Sequence, residues 1–441
     1  MKRKLLCVAL SCAATTASNL ANATNGMNME GYGPIATAMG GASMAYDNGT
    51  AAMMNNPATL ALMSEGRRVD LAFGYLGPDV KSSYGNASAK STADAFYMPA
   101  FGWLKKFGKV AYGFGIYGQG GMGTEYEGSS FMGAGKGLTA RSELSVGRVL
   151  FPLAIEVTPD LQVGGTLDFV WAQLDMQMPM EKTQVDAMGL AGMVGFSGSM
   201  APSLATLNPG DVAYINFSNG NRFTGQAKAT GYAGKIGFTY KVNPQLTLGG
   251  TYHSSTALSD METHAASLSM VTAGGTQVFN GKMTVHNFQW PETYGLGVAF
   301  QANDRLMLVA DVKHIGWANV MKDFKLGFIA DNGQDLNITF NQHWKDQNVI
   351  MLGGAYRYTK ALTLRAGINL ANNPVPDYYM NALFPAIIRN HVMLGFGYAL
   401  DNASSVDFSL THAPQVTATN ALNQTVTHSQ TSWQFIYSYR Y

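Results

Sequence analysis

The sequence predicts an all-β transmembrane protein: a fourteen-stranded antiparallel outer-membrane barrel with an N-terminal hatch plugging the lumen. Three observations lead there. An aromatic stripe runs into the last residue, apolar and polar positions alternate along most of the chain, and charge is scarce without any long apolar run.

The stripe consists of Trp433, Phe435, Tyr437, Tyr439 and Tyr441, with Ser432, Gln434, Ile436, Ser438 and Arg440 on the opposite face. Such a period-2 pattern suits a strand with one side in lipid, the other in a lumen, and rings at the membrane interface. Charged residues make up 13% of the chain, about half the usual share of roughly 25%. Glycine (50 residues) and aromatics (11%) are abundant. No stretch after Ala23 is long and apolar enough for a transmembrane helix. A soluble β-sandwich would carry more Lys and Glu on its outer face. A solenoid would show a fixed-period repeat, and none is present.

Residues 1–23 read as a signal peptide. Lys2, Arg3 and Lys4 precede a short apolar run from Leu5 to Ala14, and Ala21-Asn22-Ala23 supplies a small-x-small cleavage site. A lipid anchor on Cys12 is the alternative. Cys7 and Cys12 are the two cysteines and both fall in this segment. The mature chain therefore has no disulfide, thiolate metal site or cysteine nucleophile. Loss of Lys2, Arg3 and Lys4 lowers the 29 Lys and Arg to 26, against 28 Asp and Glu, a net charge of −2. This balance does not suit nucleic acid.

Residues 66–441 form the expected barrel. Extended candidates run at 67–76, 96–107, 109–118, 142–158, 160–176, 223–242, 245–262, 279–301, 304–325, 337–358, 361–371, 390–400, 404–414 and 428–441. Leu161, Val163, Leu167, Phe169 and Trp171 share a face against Gln162, Thr166 and Asp168. Short connections such as Phe107-Gly108-Lys109 and Asn243-Pro244 carry turn residues. They alternate with longer ones, the rhythm of periplasmic turns and extracellular loops with both termini in the periplasm.

Residues 24–65 do not alternate. They are rich in Ala, Gly and Met, and Asn56-Pro57 offers an N-cap followed by a residue suited to the first helical position. A compact segment of this size fits a lumen too wide for wall side chains to fill.

At this point the sequence resembles a known family. Gly31-Tyr32-Gly33-Pro34, Met39-Gly40-Gly41-Ala42, Ala45-Tyr46-Asp47-Asn48 and Asn56-Pro57-Ala58 look like the hatch of the FadL-type outer-membrane transporters of long-chain fatty acids and aromatic hydrocarbons. Trp290-Pro291-Glu292, Asn373-Pro374-Val375-Pro376 and Phe384-Pro385-Ala386-Ile387-Ile388 resemble family signatures in the same order. The resemblance implies a fourteen-stranded barrel, a hatch and a kinked third strand that opens the wall sideways. The third candidate is followed by Gly120, Gly121 and Gly123, and glycine permits bends and bulges. Asn56, Pro57, Ala58, Gly118, Gly120 and Gly121 are thus the expected hatch and lateral gate, with an ordinary strand entering a Gly-rich loop as the alternative.

The implied function is passive transport of hydrophobic compounds across the outer membrane of a Gram-negative bacterium. An apolar pocket favours such cargo by about 0.8 kcal/mol per buried CH₂, and a labile hatch lets it leave. Phe196, within the apolar stretch 187–207, and Phe384 with Ile387 are candidate cargo contacts; capping of the barrel is the alternative for both loops. The family's basic residue after a Trp suggests Lys322 or Lys325, which follow Trp317 with different spacing. Trp171-Ala172-Gln173-Leu174-Asp175 lacks the basic residue of fatty-acid members, which leaves a neutral hydrocarbon open. Arg365 and Lys313 face the lumen by alternation. The expected partners are hydrophobic small-molecule cargo and outer-membrane lipids, and family members act as monomers.

A polar porin and an outer-membrane lipid hydrolase are the competing functions. A porin calls for charged rings at a constriction and no Met-rich plug. A hydrolase needs Ser and His brought together. The eight His residues are scattered, none at metal-ligand spacing with another. No catalytic residue, metal or cofactor is assigned.

Overall fold

The computed structural model describes residues 25–221 and 224–441; the expected signal peptide lies outside them. Its strands are β1 Gly66–Tyr84, β2 Ala87–Lys90, β3 Phe96–Phe107, β4 Val110–Tyr126, β5 Ala140–Glu156, β6 Leu161–Glu181, β7 Val194–Ser197, β8 Val212–Phe217, β9 Ala227–Asn243, β10 Leu246–His253 and β11 Ala257–Leu258. They continue as β12 Met261–Thr272, β13 Gly275–His286, β14 Thr293–Asn303, β15 Leu306–Ile315, β16 Asp323–Ala330, β17 Asp335–Asn341, β18 Gln347–Arg357, β19 Leu362–Ala371, β20 His391–Ala399, β21 Ser404–Thr419 and β22 Thr425–Arg440.

The wall is a closed antiparallel ring. From β1 the pairing passes to β3, β4, β5 and β6, then to β9, β10, β14 and β15. It continues through β18, β19, β20, β21 and β22, which returns to β1. Arg67 and Tyr441 exchange backbone hydrogen bonds of 2.8 and 3.0 Å at this seam. Closure leaves no open edge in lipid. Alternation sets the two faces. Leu71, Phe73, Leu167, Ile236, Leu296, Leu394 and Phe435 are exposed on the outside, while Arg68, Asp70, Arg148, Asp168, Lys235, Asn369, Ser409 and Gln434 are buried. The terminal stripe behaves as read: Ser432, Gln434, Ile436 and Ser438 are buried, and Phe435 and Tyr439 are exposed.

The ring takes fourteen of the 22 strands in the sheet and eight lie outside it, so the expected strand bounds need correction. Candidates 245–262, 279–301, 304–325 and 337–358 each merge separate strands. Their alternation runs on through breaks at residues 254–256, 287–292, 316–322 and 342–346, where the chain leaves the ring. The extra strands extend the sheet beyond the ring at the long-loop end. β8 pairs with the distal part of β6, and the ladder runs on through β12, β13, β16, β17 and β7. Much of what reads as loop is thus β-structure.

Residues 25–63 contain a short helix, Pro34–Thr37, and 3₁₀ turns at Gly49–Met53 and Pro57–Leu62. Asn56 caps the last turn, its side chain accepting from Ala58 N at 3.1 Å. The segment is almost wholly buried and touches the wall on every side. A Cβ on Gly102 of β3 would meet Thr50, on Gly164 of β6 Pro57, on Gly249 of β10 Met44, and on Gly367 of β19 Gly40. Only a position within the ring satisfies all of these. Two wall aspartates hold the segment: Asp70 accepts Thr50 N and Oγ1 at 2.9 and 2.8 Å, and Asp311 accepts Ser43 N and Met44 N at 2.6 and 3.1 Å.

Candidate functional site: a break in the wall and two cavities

The wall is interrupted between β3 and β4. The two strands pair from Phe107 opposite Val110 only as far as Phe101 opposite Ile116. Above this point β3 keeps only β1, through Tyr75 opposite Tyr97 and Leu76 opposite Phe96. β4 keeps β5, with a register shift between Gly118 and Gly120. One extra residue, Gln119, bends the strand away, as a bulge does.

The start of the described chain fills the break. Asn28 bridges to Gly120, and Gly121 N donates to Met27 O at 3.1 Å. A Cβ at Gly120 would overlap the Met27 carbonyl, so only glycine lets the segment approach. Asn28 Oδ1 collects the Tyr32 hydroxyl at 2.8 Å, Gln119 Nε2 at 2.9 Å and Trp290 Nε1 at 3.3 Å. The same Tyr32 hydroxyl lies 2.7 Å from Gln119 O.

Two cavities lead toward this closure. The outer one measures about 630 Å³ and is walled by the helix Lys182–Leu190 and by residues 379–383; Met132, Met178, Met180, Met188, Met193 and Met380 line it. The inner one, of only about 20 Å³, is bounded by Met27, Met176, Phe288, Phe324, Trp344 and Phe384. That is room for about one water. Met178, Phe340, Gln342 and Asn381 belong to both linings. Met27 therefore bounds the inner cavity and also plugs the break. Beside it Trp290, Trp317 and Trp344 stack edge to face, with ring centres 5.5 and 5.2 Å apart.

Among the described residues no Lys or Arg lines either cavity. At the rim of the outer cavity, partial burial pushes the Glu181 carboxyl up. The Thr183 hydroxyl and the N–H groups of Gly210, Thr183 and Gln184 outweigh this and hold it below the usual carboxylate range. The lumen charges are mostly paired: Arg148 with Asp168 at 2.6 Å, Arg68 with Asp70 at 2.7 Å, and Arg365 with Asp407 at 2.7 Å.

The residues singled out from sequence divide. Phe384 lines the inner cavity, its ring 5.9 Å from Phe324. The apolar loops meet, with Tyr378 Oη donating to Ala191 O at 3.0 Å. Phe196 instead lies on β7 opposite Ile338, and Ile387 is buried in the large apolar core; neither lines the outer or the inner cavity. Lys322 is exposed and Lys325 pairs with Asp323 at 3.1 Å. Both sit past the helical turn Trp317–Val320, and neither lines the outer or the inner cavity. Gly118, Gly120 and Gly121 do mark the break, but Asn56, Pro57 and Ala58 do not sit beside them. Asn56 abuts Gly237 of β9, and Pro57 and Ala58 abut Gly164 of β6. The nearest neighbours of the three glycines are instead Met98, Met27 with Trp290, and Leu144. Sequence reasoning missed Met27, Asn28, Gln119, Gln342 and Asn381. Gln119 alone had a signal, as a polar residue framed by glycines.

A model of the outer membrane protein transport protein family (OMPP1/FadL/TodX) matches residues 10–439. The chain belongs to that family. It is an outer-membrane barrel that crosses the membrane by strands. The crystal structure of the P. putida toluene transporter TodX is similar, with 30% identity, 93% of this chain and 99% of that one covered, and a TM-score of 0.85. The Ralstonia pickettii toluene transporter TbuX shares 32% identity over 93% and 99% of the two chains, with a TM-score of 0.78. A putative outer membrane protein of Neisseria meningitidis serogroup B is 26% identical over 196 residues, 41% of this chain. The chain spans about half the length of the curated relatives it matches, 48% and 42%.

Proposed function

We propose that this family member carries neutral hydrophobic molecules, aromatic hydrocarbons in preference to fatty acids, passively across the outer membrane. Residues 24–65 act as the hatch. Cargo enters the Met-lined outer cavity, displaces side chains around the inner one, and leaves sideways between β3 and β4 once Met27 and Asn28 withdraw. The carrying observation is the end of β3–β4 pairing at Phe101 and Ile116, with the first described residues seated in the break. The toluene transporters named above support the cargo class, as does a cavity lining without Lys or Arg, since a carboxylate buried without a partner is costly. No covalent step is part of this mechanism, and the chain acts as a transporter and not as an enzyme. Outer-membrane lipids receive the cargo, and a single chain suffices. The packed lumen disfavours a polar porin.

Met98 and Gly118 face each other at the break, a Cβ on Gly118 lying 3.7 Å from Met98 Sδ. The chain from Thr24 onward has no cysteine, so Met98→Cys with Gly118→Cys gives one unique pair. Bridging it with a short thiol cross-linker should stop uptake of labelled toluene by cells that depend on this protein, and a cleavable linker should restore it. Uptake at the uncross-linked rate would refute sideways exit, and equal uptake by cells lacking the gene would refute transport.

A further inference from the structure

The neck between the two cavities carries two amides whose oxygens are already engaged. Trp344 Nε1, which can only donate, lies 3.3 Å from Gln342 Oε1. The backbone N–H of Leu383 lies 2.9 Å from Asn381 Oδ1. These donors fix which way each amide faces, the usual ground for assigning its O and N. The NH₂ groups of Gln342 and Asn381 are left over. Neither makes a hydrogen bond within the protein, and both residues line the outer and the inner cavity. Gln342 is 8% exposed. Both NH₂ groups are open to the cavity and not sealed within the protein, so a cargo oxygen that reaches them gains a hydrogen bond that a hydrocarbon cannot make.

We propose that Gln342 and Asn381 form a donor neck that selects neutral aromatic molecules bearing an acceptor oxygen, such as aryl ketones, aldehydes and esters, over plain hydrocarbons of the same shape. This rests on the transport reading and narrows its cargo. The aromatic part is set by the rings of Phe288, Phe324, Phe340, Trp344 and Phe384 around the inner cavity, which suit flat partners. Neutrality follows from the lining, where among the described residues Glu181 is the one side chain charged at neutral pH and no Lys or Arg is present. A carboxylate would meet two NH₂ groups but no counter-charge. An acceptor oxygen passing the neck meets the donors, while a hydrocarbon leaves them unpaired, a difference binding sites exploit.

The test uses the full chain in amphipol, with protein-free amphipol as blank, and equilibrium dialysis of three labelled probes. Acetophenone and α-methylstyrene differ in C=O against C=CH₂ at nearly equal shape; benzoate is the charged arm. Acetophenone should bind about three- to tenfold more tightly than α-methylstyrene, the effect of one net neutral hydrogen bond. Gln342→Met should cut that preference, through weaker binding of acetophenone. Asn381→Leu, at the other donor, should weaken the preference in the same direction, and a wild-type heat-induced gel shift checks that the barrel is folded. Equal binding of the two neutral probes, or a loss shared by both in the variants, would overturn the donor neck. Benzoate binding as tight as acetophenone would overturn the neutral class. If no probe bound and toluene uptake also failed, the transport reading itself would fall.

Discussion

In the proposed gate Asn28 is the clasp at the break, and removing it offers a graded test. In Asn28→Ala the acceptor for Gln119 Nε2, Trp290 Nε1 and the Tyr32 hydroxyl disappears. The tyrosine has one proton, and it also lies within reach of Gln119 O, so two to three hydrogen bonds are lost. At about 1 kcal/mol each the closed arrangement loses about 2–3 kcal/mol. That is a shift of about 30- to 150-fold toward the open one. The backbone bond from Gly121 N to Met27 O is retained, so the segment still docks. The assay has two arms: uptake of labelled toluene at limiting concentration, and labelling of a single cysteine at Met98 by a membrane-confined maleimide. Both should rise in the variant, and Gln119→Leu should add less on top than it does alone, because its bond to Asn28 is already gone and only the one to the Tyr32 hydroxyl remains. Unchanged labelling in Asn28→Ala would mean that the contacts at the break do not govern its opening, and the gating argument would fail.

Three further outcomes follow from the same geometry. Asp168 accepts from Arg148 at 2.6 Å, and Lys235 binds the same carboxylate, so Asp168→Ala strands two buried cations. It should cost about 3–5 kcal/mol, read as a lower temperature for the unfolding shift in detergent gels. Gly367→Val drives a side chain into the backbone of Met39 and Gly40; it should dislodge that part of the segment and raise single-channel conductance, and a silent channel with native stability would contradict the packing. Asp335, in the extension outside the membrane, is held below the usual carboxylate range by hydrogen bonds from Ser199 N at 2.9 Å and Ser199 Oγ at 2.7 Å. Its contribution is present above the ordinary aspartate pKa and fades as pH falls through the lower folded value. Protection of the amides at residues 198–201, relative to their intrinsic exchange rate at each pH, should therefore fall on acidification, and in Asp335→Ala it should already be low at neutral pH.

The wall was legible because alternation is a local property: a strand with lipid on one side and lumen on the other spells both in its own residues, as Trp433 to Arg440 do. The extension beyond the ring was not. Strands such as Asp323–Ala330 alternate just as the wall does, and nothing in their spelling says which ladder they join. The break was half legible. Gly118, Gly120 and Gly121 announced a bend in β4, but the residue that occupies it, Asn28, is a single polar side chain in a segment without period. Lys322 and Lys325 misled because distance along the chain from Trp317 was taken as distance along the wall, whereas the chain turns out of the ring at Gly316. Gln342 and Asn381 come from separate loops, and their pairing exists only in three dimensions.

The seam between β1 and β22 joins the two ends of the barrel's own sequence, while residues 25–63 precede β1 and lie within the ring it completes. On the proposed reading of that segment as a hatch, closure of the ring by β22 on β1 predicts that the segment enters before this pairing forms. Barrels refolded without residues 25–63 and given them afterwards as a separate peptide should therefore stay open to ions.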